Sequence, residues 1–128
     1  MRPSNDDLQK LLKEIKEELS TSDPIQASEK LYKVAEECVK TLAIKYNVKI
    51  KVRKDQYVDA SLIESWSSYM LFQAVEKLSN ILGKDLEEGW NTAWELHLRG
   101  FHENELTTDE ILDRIVDVQK LLAFCGLI

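Results

Sequence analysis

Between Pro24 and Asn47 apolar residues recur with the period of a helix. Ala27, Leu31, Val34, Ala35, Cys38 and Leu42 fall at i, i+4, i+7, i+8, i+11 and i+15, one continuous stripe. Tyr32, Val39, Ala43 and Tyr46 lie beside the stripe and widen it. Glu29, Lys30, Lys33, Glu36, Glu37 and Lys40 fall mostly on the opposite face. An apolar arc this broad has to touch more than one neighbour, so the spacing predicts a helix at the centre of a bundle. Asp23 is a suitable N-cap, and Pro24 in the first turn loses no hydrogen bond, because the N–H it lacks has no helical partner there.

The flanking segments fit the same architecture. Leu8, Leu11, Leu12, Ile15 and Leu19 form a second stripe that Ser4 or Asn5 can cap. The turn Ser20–Asp23 is so short that the first two helices must be antiparallel neighbours. A third long helix is expected from Asp59 or Ser61 through Leu82, with Gly83 just past its end. Leu62, Ile63, Trp66, Tyr69, Met70, Phe72, Ala74, Val75, Leu78, Ile81 and Leu82 leave it little polar face, so it should be largely buried, by its neighbours or by another subunit. Gln73, Glu76, Lys77, Ser79 and Asn80 mark its exposed edge. A fourth helix opens on Asp85, Glu87 and Glu88, whose charges favour its positive end, and runs to about Gly100. Thr107 and Glu110 have capping-box spacing and open a fifth, with Ile111, Ile115, Val118 and Leu122 as its core stripe and Leu112 and Val116 alongside. The apolar end Ala123–Ile128 is expected to pack.

Only four Gly and two Pro interrupt 128 residues, which favours a few long helices over many short strands. The expected fold is therefore all-α, one antiparallel bundle of about five helices over residues 1–128. No apolar run approaches the roughly 18 residues of a membrane span, and the N-terminus has no signal-peptide core. Cytoplasmic residence is the default. Cys38 and Cys125 both fall on apolar helical faces and are expected to act as small buried hydrophobes. Nothing in their spacing asks for a disulfide, and whether they pair is left open.

The segment Lys45–Lys54 breaks the helical pattern. Val48, Ile50 and Val52 alternate with Lys49, Lys51 and Arg53, a period of two that suggests an extended chain. With no second strand apparent, it either crosses the bundle irregularly, docking its apolar residues, or pairs with its copy in a dimer. It also concentrates cations, with Lys45, Lys49, Lys51, Arg53 and Lys54 in a chain of net charge −6. The acidic total excludes a general nucleic-acid coat. The local run is either a solvated loop or a phosphate-contacting patch.

The richest polar-aromatic stretch is Trp90–Glu103. Trp90, Ala93, Trp94 and His97 sit at i, i+3, i+4 and i+7, so two indoles and an imidazole share one helical face. Arg99, Phe101, His102 and Glu103 follow. These residues either pack and satisfy one another or line a ligand pocket. No His-Glu-x-x-His or Cys-x-x-Cys spacing and no glycine-rich phosphate loop occurs, so neither a metal nor a cofactor is expected.

Gln26–Ala43, QASEKLYKVAEECVKTLA, and Gly89–Glu103, GWNTAWELHLRGFHE, together resemble the two signature stretches of the PaREP-type family of archaeal paralogues. That family is similar to the HEPN group of helical nucleotide-associated domains. The resemblance implies an antiparallel, often dimeric bundle. It also implies nucleotide or RNA ligands, or a partner such as a nucleotidyltransferase. Many HEPN domains are ribonucleases with an Arg followed by a His four to six residues on. Here position 92, five before His97, is Thr, and Arg99 and His102 are separated by two residues, so no catalytic roles carry over. The expected function is a noncatalytic module binding nucleotide, RNA or protein. The alternatives are a metal-independent ribonuclease using Arg99 and His102, or a structural homo-oligomer with an aromatic interface.

Overall fold

The computed structural model describes residues 5–20, 24–102 and 105–126, with the side chains of 5, 8, 18–20, 24 and 100–102 excepted. Five α-helices dominate: α1 Asn5–Ser20, α2 Pro24–Lys45, α3 Ser68–Leu82, α4 Lys84–Glu95 and α5 Thr108–Phe124. The expected caps at Ser4 and Asp23, the turn over 21–23, the side chains of Leu8 and Leu19, and the terminal Leu127 and Ile128 lie outside the described residues. Helix α2 is central, as its stripe requires. Ala27, Leu31, Val34, Ala35, Cys38 and Leu42 are all buried, and α2 packs on α1, α3, α4 and α5. Tyr32, Val39 and Ala43 join the core, whereas Tyr46 stays at the surface. Glu37, assigned to the solvent face, is buried and paired with Lys40 at 3.2 Å.

Helix α2 ends in a Schellman motif. Asn47 takes the left-handed conformation (φ 54°), Val48 N–H donates to Ala43 O and Asn47 N–H to Ile44 O. That turn launches a strand, and here the expectations need correcting. Lys49–Arg53 (β1) does have a partner within the chain, Gln56–Asp59 (β2), in a two-stranded antiparallel hairpin. The four-residue partner is easy to miss. Its two-residue turn is Lys54-Asp55, without the glycine that usually marks such a hairpin, and Asp55 itself adopts φ 59°. Ile50 and Val48 are driven into the core and Val52 is half-buried, so the apolar residues dock as the alternation required.

The third helix is shorter than expected. Asp59 does accept a hydrogen bond from Ser61 N–H, but it caps only a 3₁₀ turn, Ala60–Leu62. Helix α3 begins at Ser68, where the Ser67 hydroxyl accepts from Met70 N–H. Ser65, Ser67 and Ser68 offer the backbone caps and turns in competition with helix, and the intervening chain follows them. Only Leu71, Ala74, Val75 and Leu78 of α3 are buried; Tyr69, Phe72 and Ile81 are exposed. Gln73 and Lys77, expected on its free edge, are half-buried under the hairpin.

Gly83 joins α3 to α4 with φ 103°, a conformation closed to other residues without strain. The capping box at Thr107 and Glu110 is formed as its spacing predicts. The core face of α5 keeps three residues of the expected stripe and gains Leu121. Ile111, Val118, Leu121 and Leu122 are buried, Ile115 is half-buried, and Leu112 and Val116 are exposed. Cys38 and Cys125 are not independent thiols: a disulfide joins them, tying the middle of α2 to the residue after α5. The packing of α2 on α5 brings their Cα atoms to 5.9 Å, well inside bridging range, a proximity their separation of 87 residues gives no hint of.

Candidate functional site

Two features survive folding as candidates, an aromatic cluster at the α2–α4 contact and the basic hairpin. The cluster forms because Trp90 and Trp94 are one helical turn apart on α4 and face Tyr32 of α2 and Phe72 of α3. Phe72 meets both indoles edge-on, with centroids 5.7 and 5.1 Å away. Past Glu95 the helix widens into a π-helical segment, Leu96–His102. This places the His97 ring 4.1 Å from that of Tyr32, nearly parallel, with Nδ1 2.9 Å from a Glu29 carboxylate oxygen. Burial, with Glu36 and Glu29 nearby, pushes the Tyr32 hydroxyl pKa far up, so it stays protonated.

The sequence-predicted residues distribute unevenly around this cluster. Trp90 is fully buried, and its indole Nε1 has no hydrogen-bond partner among the described residues. Trp94 and His97 are half-buried at the rim. Arg99 lies between two carboxylates, 3.2 Å from Glu105 and 3.8 Å from Glu95. Glu95 in turn pairs with Arg114 of α5, whose guanidinium also donates to Glu110 O at 3.0 Å. The side chains of Phe101 and His102, and Glu103 altogether, lie outside the described residues. Tyr32, Phe72 and Glu29 were not singled out by sequence because they come from other helices. The i, i+3 spacing of Glu29 and Tyr32 was the one available signal. Among the described residues no three His, Cys, Asp or Glu side chains gather as a metal site.

The hairpin is the better-defined surface. Lys51 stands directly opposite Tyr57, so both project from the same side, away from buried Ile50. Tyr57 is 58% exposed, and Lys77 of α3 lies over its ring at 5.3 Å. Lys45 covers Tyr46 similarly at 5.6 Å. Lys49 pairs with Asp59 at 2.9 Å, whereas the side chains of Lys51, Arg53 and Lys54 make no ion pair among the described residues. The outer edge of β1 is closed by α3. Gln73 accepts from Lys51 N–H at 3.0 Å and donates to Lys51 O at 2.8 Å, and the Lys77 ammonium donates to Lys49 O. The side-chain amide thus stands in for a third strand, so β1 is not available to pair with a copy of itself.

Asp59 holds the hairpin to the following turn. Its bonds from Lys49 and from the Ser61 N–H and hydroxyl push its carboxyl down to about 2. A depressed carboxyl stabilises the fold above its unfolded value of 3.8, and that contribution is lost as pH falls toward 2. The Lys49 ammonium and Ser61 amide signals should therefore titrate together with a midpoint at about pH 2 in NMR spectra of the wild type. In Asp59→Asn this shared titration should be absent.

No helix among the described residues is long and apolar enough to cross a membrane. The model of a family described as the archaeal PaREP1/PaREP8 family matches residues 6–122. A crystal structure of a protein from Sulfolobus solfataricus is similar over 97% of this chain and 95% of that one, with a TM-score of 0.76 and 33% identity. No curated protein matches the chain.

Proposed function

The chain belongs to the archaeal PaREP1/PaREP8 family, and from that premise we propose that it is a noncatalytic binding module whose basic hairpin takes single-stranded RNA or a nucleotide. The observation that carries this reading is the exposed Tyr57 ring framed by Lys51 and Lys77, with Arg53 and Lys54 uncommitted beside it. Single strands are held by this combination, a base stacked on an aromatic face and phosphates met by cations. The bundle centred on α2 supports reading the fold as HEPN-like.

The other readings find less support. In the ribonuclease reading Arg99 would hold the phosphate, yet two carboxylates already answer its charge. In the interface reading Trp90 would meet a partner, yet it is enclosed within the protomer. We place a homodimer contact instead along Tyr69 and Ile81 of α3, both more than half exposed. A protein partner such as a nucleotidyltransferase would compete for the same surfaces. Cytoplasmic residence suits an RNA ligand, and intracellular disulfides occur in hyperthermophilic archaea.

Fluorescence anisotropy with a labelled single-stranded oligoribonucleotide tests the proposal. The triple variant Lys51→Ala, Arg53→Ala, Lys54→Ala should weaken binding at least about tenfold and flatten the salt dependence by roughly two units of slope. Tyr57→Ala should cost roughly tenfold more by loss of stacking. Absence of binding by the wild type at low salt, or binding untouched by the triple variant, rejects the hairpin as the site.

A further inference from the structure

Helix α1 packs on α2 yet barely meets α5, although all three border one gap. The gap is a cleft of about 360 Å³, in the range of small-molecule sites. Ile15, Leu31, Ile115 and Leu122 are among its walls, Gln9 and Gln119 border it, and no aromatic ring of the described residues lines it. Ile115 is only half-buried because α1 does not close over it. Lys13 and Lys16 stand at the cleft on α1, and neither is in an ion pair with a described residue.

We propose that this cleft binds an anionic amphiphile, an alkyl chain ending in a carboxylate. Apart from the amides of Gln9 and Gln119 and the two lysines, the described walls are aliphatic and carry no ring, which suits a flexible alkyl chain rather than a flat heterocycle, because their attraction is nondirectional. The two lysines, not ion-paired with any described residue, place positive charge where the head group would sit, so charge complementarity selects an anion over an amine. The site lies on α1, α2 and α5, none of its lining residues belongs to the hairpin or α3, and it stands independently of the RNA reading.

Isothermal titration of the full chain with sodium octanoate, sodium decanoate and decylamine tests it. Decanoate should bind saturably at one per chain, and octanoate about fifteenfold more weakly, since each buried methylene contributes about 0.8 kcal/mol. Decylamine should show no saturable binding. The double variant Lys13→Glu, Lys16→Glu changes only exposed residues, so its unliganded melting temperature should stay unchanged while decanoate affinity falls about tenfold or more. Absence of decanoate binding overturns the proposal. So does equal affinity for the two chain lengths, or indifference to charge reversal. A concentration-dependent dimer whose contact buries the cleft would also overturn it, assigning the gap to a second copy.

Discussion

Reduction of the Cys38–Cys125 bond should lower the melting temperature by roughly 15 °C, the largest single effect expected in this protein. The bond closes a loop with a sequence separation of 87 residues, so it removes a large share of the freedom of the unfolded chain. The chain-entropy relation puts that constraint at about 4.5 kcal/mol. The native side contributes little to the difference, because Cys38 is fully buried among apolar neighbours and a reduced thiol remains compatible with that environment. Calorimetry with and without dithiothreitol measures the shift. The double variant Cys38→Ala, Cys125→Ala should melt near the reduced wild type and ignore the reductant. If a thiol assay finds both cysteines reduced in the presence of dithiothreitol and the melting temperature has not moved, the constraint is not what holds α2 to the end of α5.

Gly89→Ala should destabilise the protein by about 2–3 kcal/mol, roughly 10 °C in melting temperature. Helix propensity alone predicts the opposite, since Ala is favoured over Gly in a helix interior by about 1 kcal/mol. The tertiary structure reverses the sign. A Cβ on Gly89 would lie 2.6 Å from Leu121 Cβ, 2.9 Å from Leu121 N and 2.9 Å from Asp117 O. Two of those atoms are backbone, so no rotamer change relieves the clash and α4 must move off α5. That movement would reach Trp90, the next residue, and with it the contact to Tyr32. Urea denaturation gives the free-energy change, and a stabilised Gly89→Ala variant would mean that α4 and α5 do not approach as closely as described.

Gly89 also shows where reading the sequence stops. Its place within the signature stretch Gly89–Glu103 was visible; the reason for a glycine there was not, because it lies in Leu121, thirty-two positions away. The same holds for the candidate sites. The Lys–apolar alternation of residues 48–53 pointed to an extended segment, and its cations were legible as a possible phosphate patch. Tyr57 and Lys77 complete that surface through pairing and packing, which periodicity does not encode. Trp90, Trp94 and His97 were correctly placed on one helical face, while their depth depended on Tyr32 and Phe72 arriving from elsewhere.

The sequence by itself determined the helical class, the central position of α2 and the caps at Thr107 and Gly83, since each follows from local periodicity or local backbone chemistry. The tertiary structure alone decided the hairpin pairing, the addition of Leu121 to the core face of α5 and the disulfide. Each of these turns on which distant residue arrives to bury, bond or obstruct a group, and that is fixed only when the helices close around one core.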